Sequence, residues 1–72
     1  MVVSKLRLAR IEQGVSQYVL ALRTGIFQSR ISLIENKLVT PTEEEKIKIA
    51  YALRRRVSDL FPEEKDEGIS RN

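Results

Sequence analysis

The sequence predicts a small all-α domain, and three observations carry that reading. Gly14 and Gly25 stand where helical periodicity stops, and glycine is the usual residue where a helix must turn through positive φ. Ser16 and the run Thr42-Glu43-Glu44-Glu45 have the chemistry of helix starts. A hydroxyl there accepts from an orphan backbone N–H, and in the second case a glutamate three residues on reaches back to complete a capping box. Ile31 and Ile34 fall on one side of a helical wheel, with Ile26 just before them, as an apolar anchor. Seventy-two residues predict a single domain with no room for a separate ligand-sensing one. A chain of this size buries only ~60% of its unfolded surface, so a partner subunit would help it.

The first helix is expected over residues 4–13, stopped by Gly14. Leu6, Ala9 and Gln13 share one side with Arg10 at its edge, and Leu8 and Ile11 are left on another face. The second helix is expected over residues 16–24, with Leu20, Ala21 and Thr24 pointing at the third. Ala21 is small where two helices cross closely, while Tyr18, Val19 and Leu22 form an outward apolar patch. After Gly25 the third helix runs to Glu35, and a loop ended by Pro41 leads to the capping box. The fourth helix passes through Ile47, Ile49, Ala50 and Leu53 to about residue 54. A short fifth covers residues 57–61 and is ended by Pro62. Residues 63–72 are charged, contain Gly68 and lack apolar periodicity, so the domain is expected over 1–62 with a disordered tail.

The stretch from Gln17 to Glu35 organises the chain, and function should reside in its second half, residues 25–35. Opposite the Ile31/Ile34 anchor lie Gln28, Ser29, Ser32 and Leu33, a face of short uncharged side chains where a merely solvated helix would carry Lys and Glu. Amides and hydroxyls without carboxylates suit base edges in a DNA major groove, where Gln pairs bidentately with adenine and Ser with several partners. Helix, glycine turn and polar-faced helix together make a helix-turn-helix signal. The charge agrees. The net charge is +3, but residues 1–42 hold six basic side chains (Lys5, Arg7, Arg10, Arg23, Arg30, Lys37) against Glu12 and Glu35. The remainder carries a net −1, so the basic half is the half with the helix-turn-helix, as attraction to phosphates requires.

Other chemistries find little support. The chain has no His and no Cys, hence no disulfide framework and no thiolate metal site, and no glycine-rich phosphate loop or nucleophile–base pair. The three adjacent carboxylates 43–45 read as a helix cap rather than a metal site, since no other ligand cluster converges with them. No apolar run approaches membrane-spanning length. The expectation is a non-enzymatic cytoplasmic protein, on the nucleoid, without metal, cofactor or small-molecule substrate.

The order Leu6, Arg10, Gly14-Val15-Ser16-Gln17, Leu20-Ala21, Gly25-Ile26, Ile31, Ile34-Glu35, Pro41, Ile49-Ala50, Leu53 and Leu60 resembles the DNA-binding domain of the phage repressor/Cro (XRE-like) family, without gaps from Leu6 to Phe61. The resemblance implies a five-helix lambda-repressor-like fold and a transcription regulator, a homodimer on a palindromic operator in double-stranded DNA. It implies that Gln17 contacts the phosphate backbone and braces Gln28, which reads a base. Ser29, Ser32 and Leu33 take the other base-facing positions, and Asn36 and Lys37 lie in a loop against the sugar–phosphate backbone. Arg10 and Glu35 match a family pair that forms an internal salt bridge. Arg30 flanks the reading face and is expected on a phosphate. The family most often dimerises through its C-terminal part, here Leu53, Val57, Leu60 and Phe61, with Tyr18/Leu22 as the second choice.

Two stretches depart from the family pattern. Phe27 stands where a capping Ser or Thr is usual, so it is expected to pack or to touch a thymine methyl or sugar. In Arg54-Arg55-Arg56, the middle arginine weakens an apolar seam and the last supplies no cap. Two alternatives stay open at this level: a regulator encoded beside a toxin or a restriction–modification system, and a protein-interaction module that kept the fold and lost DNA binding.

Overall fold

A computed structural model of the chain describes residues 4–62, and the tail from residue 63 lies outside the described residues. Five helices follow in order: α1 (Lys5–Glu12), α2 (Gln17–Thr24), α3 (Gln28–Glu35), α4 (Glu43–Leu53) and α5 (Val57–Leu60), with no strand among the described residues. α2 packs against both α3 and α4, and α5 closes the bundle against α1 and α4.

Local chemistry accounts for most of the helix boundaries. Ser4 Oγ accepts the Arg7 N–H at 3.1 Å and Ser16 Oγ accepts the Val19 N–H at 3.0 Å. At α4 the box is reciprocal: Thr42 Oγ1 accepts from Glu45 N at 3.1 Å, and Glu45 Oε1 accepts from Thr42 N at 2.9 Å. The helix ends use left-handed residues. Gly14 (φ +70°) and Gly25 (φ +76°) follow α1 and α2, but Lys37 (φ +60°) and Arg54 (φ +56°) do the same duty after α3 and α4. An L-residue in that region costs about 1–2 kcal/mol. It is offset in part by the returning bonds Leu38 N to Leu33 O (2.9 Å) and Arg55 N to Ala50 O (3.0 Å), which satisfy carbonyls the helices would otherwise orphan.

Two starts lack a capping oxygen. Phe27 makes no side-chain bond to the start of α3. Arg56, before α5, can only donate, so the Asp59 carboxylate accepts the Arg56 N–H at 3.2 Å and pairs with its Nε at 3.5 Å.

The core is centred on Leu6, Leu20, Ile31, Ile49 and Leu53, which are fully enclosed, with Ala9, Val15, Ile26, Ile34, Ala50, Leu60 and Phe61 around them. Across it Gln13 Nε2 donates to Leu53 O at 2.6 Å, stitching the end of α1 to the end of α4. Several side chains sit otherwise than the periodicity suggests. Ile47 is exposed because Ile49, two residues on and hence on the opposite side of α4, faces the core. Val19 leans against the core instead of joining Tyr18 and Leu22 outside. Arg55 lies exposed at the α4–α5 turn, where it interrupts no apolar seam.

The four side chains expected to meet a second copy lie largely inside the fold. Leu53 is enclosed at the end of α4, and Leu60 and Phe61 are buried because the single turn of α5 packs back against α1 and α4. Only Val57 remains half-buried. The large apolar side chains left at the surface include Leu8, Ile11, Tyr18, Leu22, Phe27 and Tyr51.

Candidate nucleic-acid interface

The α2–α3 turn is set by one hydroxyl. Thr24 Oγ1 donates to Leu20 O at 2.8 Å and accepts from Ile26 N at 3.2 Å, while Gly25 takes the left-handed conformation between them. Thr24 is buried, so no solvent competes for these bonds. Ile26, Ile31 and Ile34 insert into the core and fix the roll of α3. What the roll leaves outside is Gln28 and Ser29, exposed, Leu33 at 40% exposure, and Ser32, half-buried. Phe27 stands at the head of this face, 83% exposed, without the packing contact that would compensate for the missing cap. The face therefore offers one amide, two hydroxyls and two apolar groups, with no carboxylate among them. Such a set matches donors, acceptors and thymine methyls on base edges.

Beneath the N-terminus of α2 lies a buried ionic network. Arg10 Nε donates to Glu35 Oε2 at 2.5 Å and Arg10 Nη2 to Glu35 Oε1 at 3.1 Å, while Arg10 Nη1 donates to Val15 O at 2.9 Å. Gln17 Nε2 adds a third donor to the same carboxylate, at 3.0 Å from Oε1. The side chains of Arg10 and Glu35 are only 10% and 1% exposed. The structure thus brings Gln17 to Glu35; no hydrogen bond joins it to Gln28 among the described residues. Past the end of α3, Asn36 Nδ2 donates to Ser32 O at 2.8 Å, and Lys37 follows, exposed and left-handed.

Arg30 points a different way from the reading residues. Its Nε and Nη2 donate to the two oxygens of Glu45, both at 3.0 Å, a bidentate pair between α3 and the first turn of α4. The hydrogen bond from Arg30, helped by the Thr42 N–H, holds the Glu45 carboxyl below its ordinary range, and the same bond raises the guanidinium pKa. The neighbouring carboxylates are paired as well, Glu43 with Lys46 at 2.9 Å and Glu44 with Lys48 at 3.2 Å.

Three of these contacts escape the sequence reading: Gln13 to Leu53, the Thr24 hydroxyl bridge, and Arg30 to Glu45. The first and last join residues far apart in the chain, where no local spacing marks them. Thr24 carried a legible sign, a buried-face hydroxyl immediately before a glycine turn. Among the described residues no His/Cys/Asp/Glu group could hold a metal, and no helix is long and apolar enough to cross a membrane.

Comparison with known proteins agrees with this geometry. A family model described as Helix-turn-helix matches residues 6–60, which span all five helices but the first residue of α1. No individual curated protein matches the chain. The chain belongs to the helix-turn-helix family of phage repressor/Cro type, a family of DNA-binding regulators.

Proposed function

We propose that the protein is a sequence-specific transcription regulator that binds double-stranded DNA as a homodimer on a palindromic operator. The observation that carries this reading is the exposed, carboxylate-free face of α3, held in register by three buried isoleucines. Gln28, Ser29, Ser32 and Leu33 read base edges, with Phe27 against a thymine methyl or sugar at the edge of the groove. Gln17, Asn36 and Lys37 grip the sugar–phosphate backbone, and Arg10 with Glu35 keeps Gln17 in place from below. The protein works in the cytoplasm, on the nucleoid, without a cofactor.

Dimerism follows from reach. One recognition helix reads only a few base pairs, so two copies about one helical turn (~34 Å) apart make a usable site. The contact is formed by α5 and its flanks, where Val57 is half-buried and Leu53, Leu60 and Phe61 are largely enclosed by their own chain, with the exposed Tyr18/Leu22 patch as the second choice.

Selection of bound sites from a random duplex pool, followed by titration of a selected and a scrambled site over a range of salt, tests the reading. A palindromic consensus and a selected site at least ~10³-fold tighter than the scrambled one are expected. Absence of salt-dependent duplex binding would overturn it in favour of a protein-interaction module. Sedimentation of wild type and Val57→Glu, alone and on the selected site, tests the dimer: a wild type monomeric in both states refutes it.

A further inference from the structure

The ion pair between Arg30 and Glu45 bears on how strongly the protein holds DNA. Arg30 is on α3, two residues after Gln28, and its guanidinium is the basic group nearest to the reading face in sequence. It is folded back across the shallow recess between the turn and α4, whose lining includes Phe27, Thr42 and Lys48. There Glu45 occupies the side of the fork that carries Nε and Nη2, the geometry with which arginine also grips a phosphate. The carboxylate is itself immobilised, since Oε1 also accepts the Thr42 N–H of the capping box at 2.9 Å. Glu45 is thus a preformed anion, fixed by the start of α4 and engaging the one arginine of the preceding α3.

We propose that Glu45 is a positioning residue that acts as an internal substitute for a DNA phosphate, holding Arg30 away from the backbone and so lowering the sequence-independent part of the affinity. This rests on the DNA-binding reading above. Sequence-independent affinity comes from cations replacing the condensed counterions of the duplex, and a cation already neutralised by its own protein releases none. The affinity that remains depends more on the base-reading face, where sequence is discriminated.

Glu45→Gln isolates the effect. Glutamine still accepts the Thr42 N–H, so the cap of α4 survives, but Arg30 loses its counter-charge. On both selected and scrambled duplexes the variant should bind tighter, with log K falling more steeply against log[salt] by about 0.9, one phosphate contact. From that slope the gain is about tenfold at 50 mM salt and vanishes toward 1 M. Arg30→Ala alone should leave the slope nearly unchanged. In the Arg30→Ala background Glu45→Gln should gain little, which separates release of Arg30 from simple removal of a negative charge.

Weaker binding by Glu45→Gln would overturn the proposal and make Glu45 a support that presents Arg30 to DNA. An unchanged slope, or an equal gain with and without Arg30, would also overturn it. Each of these results leaves the wild type a DNA-binding protein. A wild type without salt-dependent duplex binding overturns the proposal together with the function on which it rests.

Discussion

Replacing Arg10 by methionine should be among the most damaging single changes this domain can undergo. The substitution keeps an unbranched side chain of similar reach but removes two of the three donors on the Glu35 carboxylate and the donor on Val15 O. Glu35, 1% exposed at its side chain, is left with only the Gln17 amide. Orphaning one member of a buried ion pair costs about 3–5 kcal/mol. A domain of this length has a total stability of about 4–11 kcal/mol, at ~0.05–0.15 kcal/mol per residue. Arg10→Met should therefore remove about a quarter of it or more. The double variant Arg10→Met/Glu35→Leu takes both charges out of the interior, and such replacements are often neutral or stabilising. Urea titrations followed by helix dichroism on the wild type, both singles and the double give the coupling directly. The double should be more stable than either single, and raising salt from 0.1 to 1 M should change the Arg10→Met loss little, because a buried pair is poorly screened. A single-variant loss under about 1 kcal/mol, or a double whose loss equals the sum of the singles, would refute the reasoning.

Further outcomes follow from the same geometry. Gln28→Ala should weaken binding to a selected site by about 1–3 kcal/mol and relax preference at one base pair per half-site, with random-sequence affinity unchanged; equal losses on both would reassign Gln28 to the backbone. Lys37→Ala should lower affinity on all sequences and reduce the salt slope by about 0.9, and an unchanged slope would remove Lys37 from the phosphate contacts. Arg54→Gly, at φ +56°, should stabilise the domain by about 0.5–1 kcal/mol in thermal melts, the strain relieved exceeding the unfolded-state entropy gained; a lower melting temperature would show that the arginine side chain contributes more than its backbone costs. Because the Arg30 hydrogen bond depresses the Glu45 pKa in the folded chain, the carboxylate stabilises the fold above the ordinary glutamate value of about 4.3, and that contribution is lost as pH falls through the lower folded value. The melting-temperature gap between wild type and Glu45→Gln should accordingly shrink below pH ~4, and a gap independent of pH would contradict this.

Much of the fold is legible in the residues because its signals are local. Ser16, Gly25 and the Thr42/Glu45 box act within four residues of themselves, and a reader of the chain finds them by spacing alone. The isoleucine anchor of α3 is equally local, since one turn of helix decides which side faces in. What stays hidden depends on where one helix lies against another. Ile47 and Ile49 are both apolar, and only the position of α4 decides that one is core and the other surface. Arg30 reads as a free cation beside the face until Glu45, fifteen residues on, is seen to reach it. The enclosure of the side chains expected at a dimer contact is hidden for a related reason: α5 is a single turn, and burying Leu60 and Phe61 internally is what closes the bundle.

The Thr24 bridge and the isoleucine anchor also bear on how such a protein changes over generations. The residues that orient α3 (Thr24, Gly25, Ile26, Ile31 and Ile34) are a different set from those it presents outward. Exposed positions away from caps and networks usually tolerate substitution within about 0.5 kcal/mol. Gln28, Ser29 and Leu33 meet that description, so a lineage could exchange them and acquire a new recognition preference while the frame beneath stays intact. Frame and message are written in separate residues, and divergence in the second need leave no trace in the first.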